Sequence, residues 1–192
     1  MNPVKITPNY VREVSAVRKT VDLANTLGAL ALAIVDGMNA RINESVRDPA
    51  AAAAINSIGF RPGLSIRMLS KLLSKSHSGT VRGVDRLVRV GLARRSAGDD
   101  ARAVSLRLTS RGRQRWIAQR ATRMRWLHGL VGTLSAEQRV ALTEITTSLL
   151  LRLAKDPLTC EQICRLCDEA VCVPSRCPIT DEDAPDPLES LT

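Results

Sequence analysis

The sequence predicts a mainly α fold, in which two short helices joined by a tight turn lead into a small β-hairpin and long helices flank the whole. Three observations carry that expectation. Apolar residues make up 44% of the 192 but aromatics only 2%, so the core is aliphatic and suits packed helices better than a large β-sandwich. Apolar positions recur at three- and four-residue steps along the chain, which is the helical period. An apolar–polar alternation, the strand period, marks residues 104–108 after a turn-forming Gly98-Asp99-Asp100.

The elements follow in order. A long first helix spans residues 11–43, with Val14, Val17, Val21, Ala24, Leu27, Leu30, Ile34 and Met38 on one stripe. Five alanines at 50–54 open a second helix, packed closely by its small side chains, that stops near Gly59 because Pro62 and Gly63 follow. Ser65 caps a short third helix that buries Ile66, Leu69, Leu72 and Leu73. After a turn at 74–76, Ser76 caps a fourth helix running to Leu92, with Val81, Val84, Leu87, Val88 and Leu92 facing inward. The hairpin pairs 92–95 with 104–108 around a tip at 96–100. Thr109 caps a fifth helix carrying Ile117, Ala121, Met124, Leu127 and Val131 on its core side. Ser135 with Gln138 forms a capping box for the last long helix, whose core side is Leu142, Ile145, Leu149 and Leu153 and which ends at Pro157. This gives five regions: a helix over 1–48, the helix-turn-helix and hairpin over 49–112, helices over 113–157, a cysteine-rich segment over 158–180 and an acidic tail over 181–192.

Charge points to a partner. The net charge is +9, yet residues 160–192 hold 2 basic and 8 acidic residues, so the remainder is far more basic than the total implies. A basic body with a small acidic tail fits an acidic polymer. A helix-turn-helix reads duplex DNA by laying the start of its second helix in the major groove. Ser65, Ser76, His77, Ser78 and Thr80 place short hydrogen-bonding or imidazole side chains at the helix entries, and Arg82 and Arg86 follow one turn apart. Short polar side chains let the helix approach base edges, an arginine can make a bidentate contact with guanine, and helix N-termini favour phosphate. Gly79 and Gly83 each weaken the helix by about 1 kcal/mol relative to alanine; they serve either close backbone approach or ordering on binding. On the hairpin, Arg94, Arg95 and Arg102 reach phosphate or the minor groove, while Asp99 or Asp100 holds Arg102 across the tip.

The runs VDRLVRVGLARR, GDDARAVSLRLTSRGR and LSAEQRVAL resemble the MarR family of winged helix-turn-helix regulators over roughly residues 20–155. The wing pattern Asp100-x-Arg102, followed by a strand and Leu-Thr-x-x-Gly, is the most specific part. The resemblance implies a homodimer joined through the N- and C-terminal helices, binding of double-stranded DNA at a palindromic operator, repression of nearby genes, a possible small-molecule effector, and DNA contacts from Arg82 and Arg102. It carries no enzyme activity. The residues agree: no phosphate loop or paired catalytic carboxylates occur, and the two histidines lack acidic partners. The alternative is a non-specific duplex-binding or nucleoid protein with a purely structural zinc site.

All five cysteines fall between 160 and 177. Cys164-x2-Cys167-x4-Cys172-x4-Cys177 can converge four thiolates on one metal, and Cys160 is a spare. The spacing suits a zinc knuckle, whereas the Cys-Pro ending and the lack of glycines and aromatics lean towards an iron–sulfur cluster; metal-free redox thiols are the third option. Such a centre is either a redox or metal sensor or a staple for the C-terminus. The segment 27–35 is too short to span a bilayer and no leader pattern precedes it, so the expected location is cytoplasmic, without a membrane partner. The arginines of 111–125 read as a solvated face, His128 as a packed residue, and Trp116 and Trp126 as interface or pocket packing.

Overall fold

In a computed structural model, residues 8–42, 48–97, 104–172, 177 and 179 are described; side chains are described from residue 20 onward, Ala97 excepted. The elements are α1 Pro8–Ile42, α2 Pro49–Phe60, α3 Ile66–Leu72, α4 His77–Arg89, β1 Ala93–Ala97, β2 Val104–Leu108, α5 Ser110–Gly132, α6 Ala136–Leu153 and α7 Pro157–Cys164. This is the mainly α, winged helix-turn-helix architecture expected.

Local chemistry explains most boundaries. Ser65, Ser76 and Thr109 each accept the backbone N–H three residues on, capping α3, α4 and α5. Ser135 and Gln138 form the reciprocal box that starts α6. Asp48 caps α2 ahead of Pro49, and Asp156 caps α7 ahead of Pro157. Proline is tolerated at the first helical position because its missing N–H would be unpaired there anyway. Pro157 therefore opens a further helix as well as following the last long one.

β1 and β2 pair antiparallel in the register Ala93↔Leu108 through Ala97↔Val104, and Ser65 bridges Ser105. Leu106 donates to Leu64 O and accepts from Gly63 N, both at 2.9 Å, so the chain before α3 is stitched to β2. Gly91 turns α4 into β1 at φ +70, a conformation glycine adopts without strain. At the other end of the hairpin, a Cβ on Gly112 would lie 1.9 Å from Leu92 O, so α5 starts closer to the sheet than any side chain permits.

One aliphatic core binds these parts. Ile55, Ile58, Leu69, Leu72, Val84, Leu87, Leu92, Leu106 and Leu108 are buried together, joined by Ala54, Leu64, Met68 and Ala93. Burying a leucine or isoleucine is worth about 2 kcal/mol. On α4, Val84 and Leu87 face inward as expected, but Val88 is exposed and Val81 only half-buried.

The expected core stripes of the long helices are not buried. On α1, Val21, Leu27 and Leu30 are exposed; on α5, Ile117 and Val131; on α6, Ile145, Leu149 and Leu153, and α6 has no buried residue. The helical period was right, but among the described residues these side chains stay exposed, and Val14 and Val17 lie outside the described side chains. The chain splits into two compact units, Met1–Ala40 and Arg41–Thr192. In α1, Thr20–Ile42 is long and apolar enough to cross a bilayer by length and composition, a longer apolar stretch than the 27–35 reading took in. It also carries Asp22 and Asp36, and carboxylates at such depth are costly.

Candidate nucleic-acid interface and cysteine pocket

The outer face of α4 follows from its buried one. Thr80, Val84 and Leu87 point to the core, so the period of 3.6 puts Ser78, Arg82, Asp85 and Arg89 on the opposite side. Ser76, His77, Ser78, Arg82 and Arg89 are exposed. Among the described residues neither Arg82 nor Arg89 has an acidic partner, whereas Arg95 of β1 pairs with Asp85 at 2.8 Å. The face therefore presents two unneutralised guanidinium groups seven residues apart.

Several expected contacts shift. Thr80 is 4% exposed and its hydroxyl donates to Ser76 O at 3.0 Å, so it seats the helix and lies off its outer face. Arg86 lies at the edge of the face, 3.3 Å from Asp48, which ties α4 to the cap of α2. Arg89 holds the outer position that residue spacing alone had given to Arg86. Ser65 is half-buried and its hydroxyl caps Met68 N. Arg95 is committed to Asp85, and Arg94 stands opposite Arg107 in the strand register. Asp99, Asp100 and Arg102 lie outside the described residues.

Arg111, Arg113 and Arg125 of α5 are exposed as expected, whereas Arg115, Arg120 and Arg123 are not on a solvated face. Arg111 donates to Val90 O at 3.2 Å, Arg113 to Leu108 O at 3.3 Å and Arg115 to Ile42 O at 2.7 Å. Arg120 is ion-paired with Asp168 and stands 4.7 Å from the ring centres of both Phe60 and Trp116. Trp116 packs edge-on to Phe60 and donates to Asn56 Oδ1 at 3.1 Å; a Cβ on Gly59 would meet its ring at 2.5 Å. Trp126 stands apart under Arg41. His128 is exposed, not packed, because it falls on the uncovered side of α5. A cavity of about 620 Å³ lies among α2, α4 and α5, lined in part by Arg86, Leu87, Arg111 and Arg115, a size typical of small-molecule sites.

At the C-terminal end, Cys160, Cys164, Cys167, Cys172 and Cys177 line one cavity of about 240 Å³ with Arg61, Glu161 and Glu169. Cys160, Cys164, Cys167 and Cys172 are free thiols. The hydrogen bond from Cys164, then the positive charge of Arg123, draws the Cys167 thiol down to about 7 against the effect of burial. Cys164 is raised as the donor in that bond and by burial. Burial and then the bond with Cys177 push Cys172 up to about 11, and burial raises Cys160. Buried Asn56 donates to Arg165 O at 3.2 Å and to Cys167 O at 3.0 Å, and Gln162 donates to Lys71 O at 2.9 Å. The segment is thus bonded to both α2 and α3.

The arrangement of α3, α4 and hairpin defines a winged helix-turn-helix. Residues 48–103 match the model of the MarR family. A MarR family protein from Bacillus stearothermophilus is 22% identical, with a TM-score of 0.64 over 72% of this chain and 97% of that one. MepR, a transcription regulator of the Staphylococcus aureus multidrug efflux pump MepA, is 17% identical, with a TM-score of 0.61 over 68% of this chain and 97% of its own. Streptococcus pneumoniae FabT, solved in complex with DNA, is 19% identical, with a TM-score of 0.63 over 70% of this chain and 96% of its own. These are likenesses of fold. No curated protein matches the sequence.

Proposed function

We propose that the chain is a sequence-specific DNA-binding transcription regulator and acts as a homodimer on a palindromic operator, in the repressing sense, with no enzyme activity. The observation that carries this reading is the outer face of α4, where Ser78, Arg82 and Arg89 stand opposite the buried Thr80, Val84 and Leu87. MarR-fold proteins are described as transcription regulators, and one was solved on DNA. Positioning by phosphate contacts and reading by base edges are separable. Arg82→Ala is expected to weaken binding to a preferred duplex by about tenfold, a loss of 1–3 kcal/mol per bidentate contact, while scarcely changing binding to random duplex. An equal loss on both duplexes would make Arg82 a phosphate contact and favour the non-specific alternative.

The homodimer is supported by the uncovered leucines and isoleucines of α6 and α1, since exposed apolar stripes of this extent mark interfaces. On this reading the apolar length of α1 serves a partner chain and the protein is cytoplasmic. The cavity beside Arg86, Arg111 and Arg115 is the place for a small-molecule effector. The cysteine segment would act on DNA binding through its bonds to α2 and α3, as a redox or metal sensor.

A further inference from the structure

We infer that Cys164, Cys167, Cys172 and Cys177 bind one thiolate-ligated metal centre, a zinc ion or an iron–sulfur cluster, with Arg123 as its buried charge partner. This inference does not depend on the DNA reading.

The first support is how the sulfurs are gathered. Cys164 is the last residue of α7, and the Cys167 N–H bonds back to Cys164 O at 2.6 Å. That turn brings the pair to one side, and their thiols are within hydrogen-bond reach. The N–H groups of Val171 and Cys172 both bond Asp168 O, and Cys172 is in turn hydrogen-bonded to Cys177. All four line one cavity. Cys160 lines the same cavity but stands outside the Cys-x2-Cys-x4-Cys-x4-Cys run. Among the described residues no three His, Cys, Asp or Glu donors form a closed metal-holding set; what the structure gives is the four thiols lining one cavity.

The second support is Arg123. It is 8% exposed, its Nε has no hydrogen-bond acceptor, and its guanidinium reaches Met124 Sδ and the Cys167 thiol. Burying a guanidinium without a counter-charge costs several kcal/mol. The nearby carboxylates are already engaged: Asp168 by Arg120, and Glu161 and Glu169 by Arg61. Besides Asp168, which Arg120 already engages, the group facing Arg123 is the Cys167 sulfur. Four thiolates around a divalent ion leave two net negative charges at that spot, and hydrogen bonds to the ligands are how proteins commonly tune such centres.

The test uses the full chain, purified reduced and without oxygen, with zinc, iron, sulfide and free thiols measured together. One zinc per chain in a colourless protein, or iron with sulfide in a coloured one, supports the inference and identifies the centre. Cys164→Ser, Cys167→Ser, Cys172→Ser and Cys177→Ser should each lower bound metal at least tenfold, and Cys160→Ser should leave it in place. Arg123→Gln should weaken the affinity about tenfold while the four ligands remain. Helical circular dichroism on each variant separates lost metal from lost fold. A folded protein that takes up neither zinc nor iron, or one that loses metal with Cys160→Ser but not with Cys177→Ser, would overturn it.

Discussion

The winged-helix body and the long helices carry the same aliphatic residues at the same spacing, yet their burial is opposite. In the body Ile55, Ile58, Leu69 and Leu106 are fully buried, whereas Ile145 and Leu153 of α6 are 57% and 61% exposed. A helical stripe shows that a face wants cover; it does not say whether the cover comes from the same chain. The body is complete in one chain, and α6 is not.

The contrast breaks most sharply if α6 is made unable to meet a partner. Ile145→Glu with Leu153→Glu should raise the dimer dissociation constant more than a hundredfold, because each buried carboxylate costs several kcal/mol, and sedimentation would read it. The body should still fold, since neither side chain touches its core. Unchanged dimers would place the interface elsewhere.

Within the body the next largest effect is steric. Gly112→Ala should destabilise by about 3 kcal/mol, as overpacking against backbone does at its worst, with a lower thermal midpoint. The Cβ would meet Leu92 O at 1.9 Å, and backbone cannot step aside cheaply. Asn56→Leu comes next. It leaves Trp116 Nε1 and the carbonyls of Arg165 and Cys167 without their partner, an expected loss of about 2 kcal/mol. Limited proteolysis should then cut the cysteine segment before the body, and simultaneous cutting would show that the two are not separately held.

Legibility in the sequence follows the range of the interaction. The caps at Ser65, Ser76, Thr109 and Ser135 span three residues, and all were readable. So were the hairpin and the turn at 74–76. Tertiary substitutions were not: Thr80 looked like a DNA contact but its hydroxyl closes on Ser76 O. Arg115, Arg120 and Arg123 of α5 looked solvated because their carbonyl, aromatic and thiol partners lie up to 73 residues away. Helix α7 escaped notice because Pro157 reads as a stop unless Asp156 before it is seen as a cap. Arg89 was missed because one-turn spacing from Arg82 favours Arg86, and only the buried face of α4 shows which of the two points outward.

The smallest effect sharpens the comparison from the DNA side. Ser76→Ala removes the cap at Gly79 N, 3.1 Å away, and should cost about 1 kcal/mol of stability. With Gly79 and Gly83 already weakening the same helix, it should also loosen DNA binding, which a melt and a titration would separate.

In the proposed function a dimer reads sequence through α4. Selection of bound duplexes from a random pool by the full chain tests it most directly. The account predicts enrichment of an inverted repeat whose half-site centres lie about ten base pairs apart. No enriched sequence, with affinity falling alike for every duplex as salt rises, would contradict it.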